Sequence, residues 1–471
     1  MTQGEKKTQR RKILLGALLT ALSVGIMLLQ PFGELTKEGM IYLGAFTWMI
    51  TMMGFGIIPR FITPVITLLF LVIARVTEFQ TAFAPFSSAT MWMVIGVFGV
   101  SVAIGNSGVL NRLVLYLLRP FPETFKGQIL AMYVTNLFLA PLVPSSFGKL
   151  AILSPVAVNM AERYGYKKSS KGAIGIFGGL YISAGIFGHA FLTGAAAVPI
   201  MIGFMQYGIT EFNFFTWLSG TWVWLAVMFI GSYLFIVTYY NPGKNEQAQT
   251  SNIRAEIKKL KPISRDEIIV LVTMFAAVVL WMTETFHGVS AALVVLCALV
   301  IFIITGVLSP NDFKTKIDWN TAIYVGAILG VMSYMGPLGI TKWAATGLSA
   351  FVGPALTNPY IFVLTLCALT FIARMLFMSS IALIAVFTAA FGSLAAGAGI
   401  SSFIIVYVVY LVAQDWNTPF TNVPIITTLA TTEHKLVEYK DTYIMNLAYF
   451  VFNVVGFLIS VPFWQMSGFI Q

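Results

Sequence analysis

The stretch PLVPSSFGKL, residues 141–150, places two serines, a glycine and Lys149 directly after two prolines. Proline interrupts a helix, and the restart leaves backbone N–H groups without intrahelical partners. Such a helix N-terminus suits a carboxylate, through its free donors and its dipole, and serine hydroxyls add further donors. Ser145, Ser146, Gly148 and Lys149 therefore make one candidate anion site. A second serine pair, Ser379 and Ser380, follows Arg374 in the run ARMLFMSS. Serines in membrane helices also bond back to helix carbonyls, so each pair has a packing reading beside the binding one. Lys149 has two readings as well. Its stem crosses an apolar layer so that the amine snorkels to the headgroups, or the amine faces an aqueous cavity and offsets part of a dianion. Arg374, five residues before Ser379, either orients the second serine segment or touches a carboxylate.

The elements that must position these residues are membrane helices. Hydrophobic residues make up 58% of the 471 and charged residues only 10%, against roughly 25% charged in a soluble domain. The net charge of +10 is spread over short segments between apolar runs rather than gathered in a polar domain. That distribution orients a chain in a lipid bilayer and does not point to nucleic acid. Stretches close to the length of a membrane span recur along the whole sequence and predict about eleven transmembrane helices. The basic amino-terminal segment MTQGEKKTQRRK precedes the first and places the amino terminus in the cytoplasm. The apolar run after it lacks a small-residue cleavage site and reads as a retained helix rather than a signal peptide. Cys297 and Cys367 lie in apolar runs with no paired spacing, which points to packing rather than disulfide or metal chemistry. The tryptophans of TWVWLAV, Trp222 and Trp224, read as interfacial anchors or helix packing.

The polar segment 241–266 reads as a cytoplasmic loop dividing a first membrane half, 1–240, from a second, 267–471. Ser264 and Glu267 at its end have the spacing of a capping box that opens the next helix. The halves echo each other. Trp92 and Trp319 each open a glycine-containing apolar span that ends near a basic residue, Arg112 or Lys342, and a serine pair follows each. Residues 172–210 and 375–414 contain no Asp, Glu, Lys or Arg and exceed the length of one span, which fits a helix joined to a re-entrant or broken element. Twofold internal repetition of this kind points to a secondary transporter with its site at the repeat interface. No phosphate-binding GxxxxGK[ST] loop, HExxH motif or cysteine cluster occurs, so the sequence predicts neither an enzyme nor a cofactor or metal.

Several landmarks, in order, give the chain a resemblance to the divalent anion/sodium symporter family of dicarboxylate and citrate transporters. They are FSSATMWMVIGVF at 86–98, PSSFGK at 144–149, HAFLTGAAAVP at 189–199, KLKPISRDEI at 259–268, DWNTAI at 318–323 and ISVPFWQMSG at 459–468. The resemblance implies an all-α polytopic fold of two inverted repeats. Each repeat would carry a re-entrant hairpin, near 141–160 and 376–398, within a homodimer whose moving domain carries substrate elevator-fashion. The family's hairpin tips read Ser-Asn-Thr. Here the corresponding positions are Ser145, Ser146, Phe147 and Ser379, Ser380, Ile381. Sodium needs a shell of oxygens, and Phe147 offers only its backbone carbonyl. Lys149 stands where sodium-independent exchangers of the family tend to carry a basic residue.

The same resemblance adds Thr193 and Gly194, in the small-residue stretch behind the first hairpin, and Thr418 and Pro419, in a run that is a broken region after the second hairpin or a plain loop. His189 reads as a neutral imidazole on a neighbouring carbonyl, or as a gating group. The expected function is sodium-independent exchange of malate, succinate, fumarate or 2-oxoglutarate across a bacterial plasma membrane, with small dicarboxylates and membrane lipids as partners. A sodium-coupled dicarboxylate or citrate symporter is the alternative, and an anion channel or another ion transporter ranks below it. A proton-coupled carrier would keep an acidic residue in its spans, and the spans beside the serine pairs hold none.

Overall fold

A computed structural model describes the backbone of residues 3–31, 35–209, 211–243, 253–375, 377, 379–417 and 422–471. The protein is all-helical, in keeping with the expected fold class, and one element order occurs twice. In the first half, helix Ala89–Ser107 ends at the left-handed Gly108 (φ 78°) and an amphipathic helix, Val109–Leu118, follows. Next come the paired helices Phe125–Leu139 and Ser146–Arg163, an interrupted helix beginning at Lys171, and the long helix Phe214–Tyr239. In the second half, Trp319–Met332 is followed by the left-handed Gly339 (φ 73°) and helix Ile340–Leu356. Then come the pair Pro359–Arg374 and Ser380–Gly397, an interrupted helix beginning at Ser402, and the long helix Tyr443–Met466. Residues 141–160 thus hold the turn and most of the second arm of the first pair. Residues 376–398 hold the corresponding part of the second pair, and the first arms precede them.

Among the described residues, five helical stretches are long and apolar enough to cross a membrane, and seven shorter apolar helices accompany them. Their outward faces carry Ile73, Ile304, Ile372 and Leu447, all strongly exposed. Hydrocarbon is the solvent that tolerates such a surface.

The two long helices pack along each other and tie the halves at the centre. Trp224 is fully buried there and its indole N–H donates to Asn453 Oδ1 at 2.8 Å. Trp464 donates to the Gly220 carbonyl at 2.7 Å. Trp222 lies half-exposed against Phe463, so the neighbouring tryptophans of TWVWLAV divide between packing and the outer surface.

The capping box forms as the sequence predicts. Ser264 Oγ accepts from the Glu267 N–H at 3.2 Å, and Glu267 Oε2 accepts from the Ser264 N–H at 2.7 Å. Glu267 also receives Arg112 Nε at 2.7 Å, while Arg112 Nη2 reaches the Lys261 carbonyl at 2.7 Å. One carboxylate therefore starts a helix of the second half and anchors the amphipathic helix of the first. Ser264→Ala, which removes the cap alone, should cost about 1 kcal/mol. Glu267→Ala removes the cap and the ion pair together, so it should lower the melting temperature in detergent further than Ser264→Ala does. Equal shifts would show that the Arg112 contact adds nothing.

Candidate functional site

At the first break the chain leaves helix Phe125–Leu139, turns through residues 140–145 and restarts at Ser146. Ser145 is the N-cap, its Oγ accepting from the Gly148 N–H at 3.0 Å. Ser146 Oγ donates to the Gly185 carbonyl at 3.1 Å, across to the first interrupted helix. That helix is regular to Leu180, passes through a π-helical turn, Tyr181–Ile186, and ends in a 3-10 turn, Phe187–Ala190. Widening to π geometry leaves carbonyls such as that of Gly185 open to outside donors. Thr193 Oγ1 donates to the Pro141 carbonyl at 2.9 Å and fastens the end of this element to the turn.

Lys149 sits beneath that junction, 1% exposed, with Nζ donating to the Gly194 carbonyl at 3.4 Å. It does not snorkel, since the whole side chain is buried and the amine reaches the Gly194 carbonyl. Gly194 is demanded by backbone approach. A Cβ there would lie 2.3 Å from the Gly188 carbonyl oxygen and 3.0 Å from that of Ala140.

The second break repeats the pattern. Ser379 caps helix Ser380–Gly397, its Oγ accepting from the Ala382 N–H at 3.2 Å. Ser380 Oγ donates to the Ala413 carbonyl at 3.2 Å, at the end of Ser402–Val412, and Gln414 Nε2 approaches the same hydroxyl at 3.5 Å. Arg374 is buried, and its Nη1 holds the Phe377 carbonyl at 3.2 Å, which orients the turn before Ser379. Asn422 restarts the second interrupted helix, Val423–Thr431. Its Oδ1 accepts from the Ile425 N–H at 3.0 Å and from the Tyr181 hydroxyl at 3.1 Å, and its Nδ2 donates to the Gln414 carbonyl. The Tyr181–Asn422 bond joins the two interrupted helices across the halves. Thr418 and Pro419 lie outside the described residues.

Asp415 has a setting that the sequence does not show. It follows the span Ser402–Val412, is fully buried and lies within electrostatic reach of Arg374. The spans beside the second serine pair hold no acidic residue, and this one stands just past the span that follows. Its Oδ2 accepts from Asn417 Nδ2 at 2.9 Å. Only the fold reveals the burial, because the sequence places Asp415 at the start of a polar run.

A cavity of about 320 Å³ is lined by Ser145, Ser146, Phe147, His189, Tyr410 and Gln414, with Lys316 and Asp318 among its other walls. This volume is at the lower end for small-molecule sites and suits a compact ligand. The cavity brings the first serine pair to the second interrupted helix. Gly148, Lys149, Thr193, Gly194, Ser379 and Ser380 do not line it. His189 Nδ1 lies 2.9 Å from the Ile186 carbonyl. Because a carbonyl can only accept, Nδ1 carries a proton.

At the outer wall Lys316 Nζ is held by Asp312 Oδ1 and Asn106 Oδ1, each at 2.8 Å. Hydrogen bonds from Lys316 and then from Ser309 keep the Asp312 carboxyl below its usual 3.8. A depressed carboxyl contributes stability above its unfolded value and loses it as pH falls through the folded one. The contact therefore persists at neutral pH and is lost only in acid.

The packing around Gly194 is directly testable. Gly194→Ala puts a Cβ against backbone that cannot swing away, so it should abolish recovery of monodisperse protein on size exclusion in detergent. Gly105→Ala, at a helical glycine with nothing within 4 Å of the added atom, should leave recovery unchanged. Normal recovery of Gly194→Ala would disprove the close approach.

The model of the sodium:sulfate symporter transmembrane region matches residues 11–468. Over 343 residues the chain is 24% identical to Dicarboxylate transporter 2, chloroplastic, of Spinacia oleracea, covering 69% of this chain and 60% of that protein. Dicarboxylate transporter 2.1, chloroplastic, of Arabidopsis thaliana is 22% identical over 58% of this chain and 50% of its own length. The chain thus matches between half and three-fifths of these relatives. The crystal structure of the Alcanivorax borkumensis YdaH transporter superposes with a TM-score of 0.58 at 12% identity, covering 98% of this chain and 99% of that one, a likeness of fold. With a match running across nearly its whole length, this chain is an integral membrane protein that belongs to the sodium:sulfate, or divalent anion:sodium, symporter family.

Proposed function

We propose that the protein exchanges one small dicarboxylate for another, a C4 or C5 dianion such as malate, succinate, fumarate or 2-oxoglutarate. The observation that carries this reading is the paired construction of the two breaks. At each, one serine caps a helix while the next holds a carbonyl of an interrupted helix, Gly185 or Ala413. Two similar helix N-termini meeting an interrupted helix of their own half suit a substrate with a carboxylate at either end. The names of the spinach and Arabidopsis relatives favour the same substrate class.

Several further features belong to this reading. The duplicated element order supports an inverted repeat that rocks or slides as an elevator, within a homodimer in a bacterial plasma membrane, amino terminus inside. Phe147 and Ile381, in place of oxygen-bearing tip residues, favour exchange without sodium. Lys149, close behind the first tip, supplies a resident positive charge in place of a bound cation.

The test is uptake of labelled succinate into proteoliposomes, with and without internal dicarboxylate and with and without a sodium gradient. Exchange predicts uptake that requires internal dicarboxylate and ignores sodium. Sodium-driven uptake into empty vesicles would instead support a symporter. Lys149→Ala should reduce exchange roughly tenfold or more, equivalent to about 1.4 kcal/mol, while leaving membrane insertion intact. Near-normal exchange by this variant would remove Lys149 from the mechanism.

A further inference from the structure

Among the described residues, the buried Asp, Glu, His, Lys and Arg side chains are Lys149, His189, Glu267, Arg374 and Asp415. Glu267 belongs to the Arg112 clamp, and the exchange reading gives a role to Lys149. Asp415 is left without one. Its position is unusual, because its side chain is completely enclosed and Oδ1 has no hydrogen-bond partner among the described residues. A buried polar atom without a partner is costly and calls for an explanation.

The surroundings of Asp415 narrow the explanation. Arg374, from the first arm of the second pair, is the charged group that acts on it most. Tyr181 faces it from the first interrupted helix, and Tyr439 and Tyr449 from the carboxyl-terminal segment. Tyr410 and the half-buried Arg60 act on Arg374, and Lys149 acts on His189. The preceding residue, Gln414, lines the cavity and contacts Ser380. Asp415 is therefore one residue from the cavity wall and opposite a buried cation.

We propose that Asp415 is a proton-binding site that loads together with the dicarboxylate, so that a dianion crosses with one proton. This rests on the dicarboxylate reading of the cavity. The argument is one of charge. With Asp415 ionised, Lys149, Arg374 and Asp415 together carry one net positive charge, His189 being neutral. A dianion turns that sum into one net negative charge, so empty and loaded carriers would face equal barriers in a low-dielectric layer. A proton on Oδ1 of Asp415 brings the loaded sum to zero and leaves only the empty carrier charged. The proton comes from water in the cavity and bonds to Oδ1, and no other bond forms or breaks. Obligatory exchange then follows from the charge of the empty state.

The test uses the purified full-length protein and succinate, titrated calorimetrically near neutral pH in buffers of different ionisation enthalpy. Wild-type protein should take up about one proton per succinate bound. Asp415→Asn should bind succinate with that uptake lost, and Asp415→Glu should restore it. Succinate binding to wild type with no proton uptake would overturn the inference and leave the dicarboxylate reading standing. So would uptake by Asp415→Asn equal to wild type, since the proton would then sit on Lys149, on His189 or on the substrate. Wild type settles the matter without any variant if its count is zero. Absence of binding by folded wild-type protein to any C4 or C5 dicarboxylate would instead overturn the reading itself, and this inference with it.

Discussion

A helix that stops inside a bilayer exposes backbone N–H and C=O groups where no water can satisfy them, and each group left bare costs several kcal/mol. The candidate site of this fold sits at such stops. The N–H groups at the two serine turns are met by Ser145 and Ser379, and those at the second restart by Asn422. The carbonyls of the interrupted helices are met by Ser146, Ser380 and Lys149. The same residues therefore hold the fold together and belong to the candidate site. A capping hydroxyl uses an acceptor lone pair on the backbone and keeps a proton to donate, which is what an incoming carboxylate needs.

This economy has a cost in rigidity. Gly188 and Gly194 approach so closely that neither tolerates a side chain, and Thr193 ties the same element to the first turn. The first serine turn and the first interrupted helix are thus stitched into one body, and Ser380 with Gln414 does the same for the second pair. Between them Tyr181 and Asn422 provide a direct bond. Under an alternating-access reading these elements would move together, because separating them would uncover buried polar groups in hydrocarbon.

Much of this architecture was legible in the sequence. Membrane character follows from composition. The capping box was readable because Ser264 and Glu267 signal locally, three residues apart, at a polar–apolar boundary. The serine turns were readable because prolines, small residues and a lysine seldom share an apolar stretch. What sequence could not supply depends on distant partners. The π turn at Tyr181–Ile186 has no residue signature, and the Gly185 carbonyl in it is met by Ser146, 39 residues away. Trp222 and Trp224 look alike in a hydropathy profile, yet only Trp224 meets Asn453 in the core. Asp415 looks like the first residue of a polar loop. Its burial comes from the closure of the carboxyl-terminal segment, where Tyr439 bonds to the Trp416 carbonyl and Asn446 holds the Trp416 N–H.

The two breaks are alike in backbone and unlike in the charged groups behind them. Behind the first turn stands a buried lysine whose amine donates to the Gly194 carbonyl. Behind the second stands a cation facing an enclosed carboxylate, a pair whose net charge depends on a single proton. A dianion lying between the breaks would meet a fixed positive centre at one end and an adjustable one at the other. Sodium, where a carrier uses it, supplies charge that arrives and leaves with the substrate. Under the exchange reading the positive charge is covalently part of the chain, and the variable component is the substrate or the proton. A carrier built this way has one state in which its buried charges balance, and the physics of the bilayer favours crossing in that state over all others.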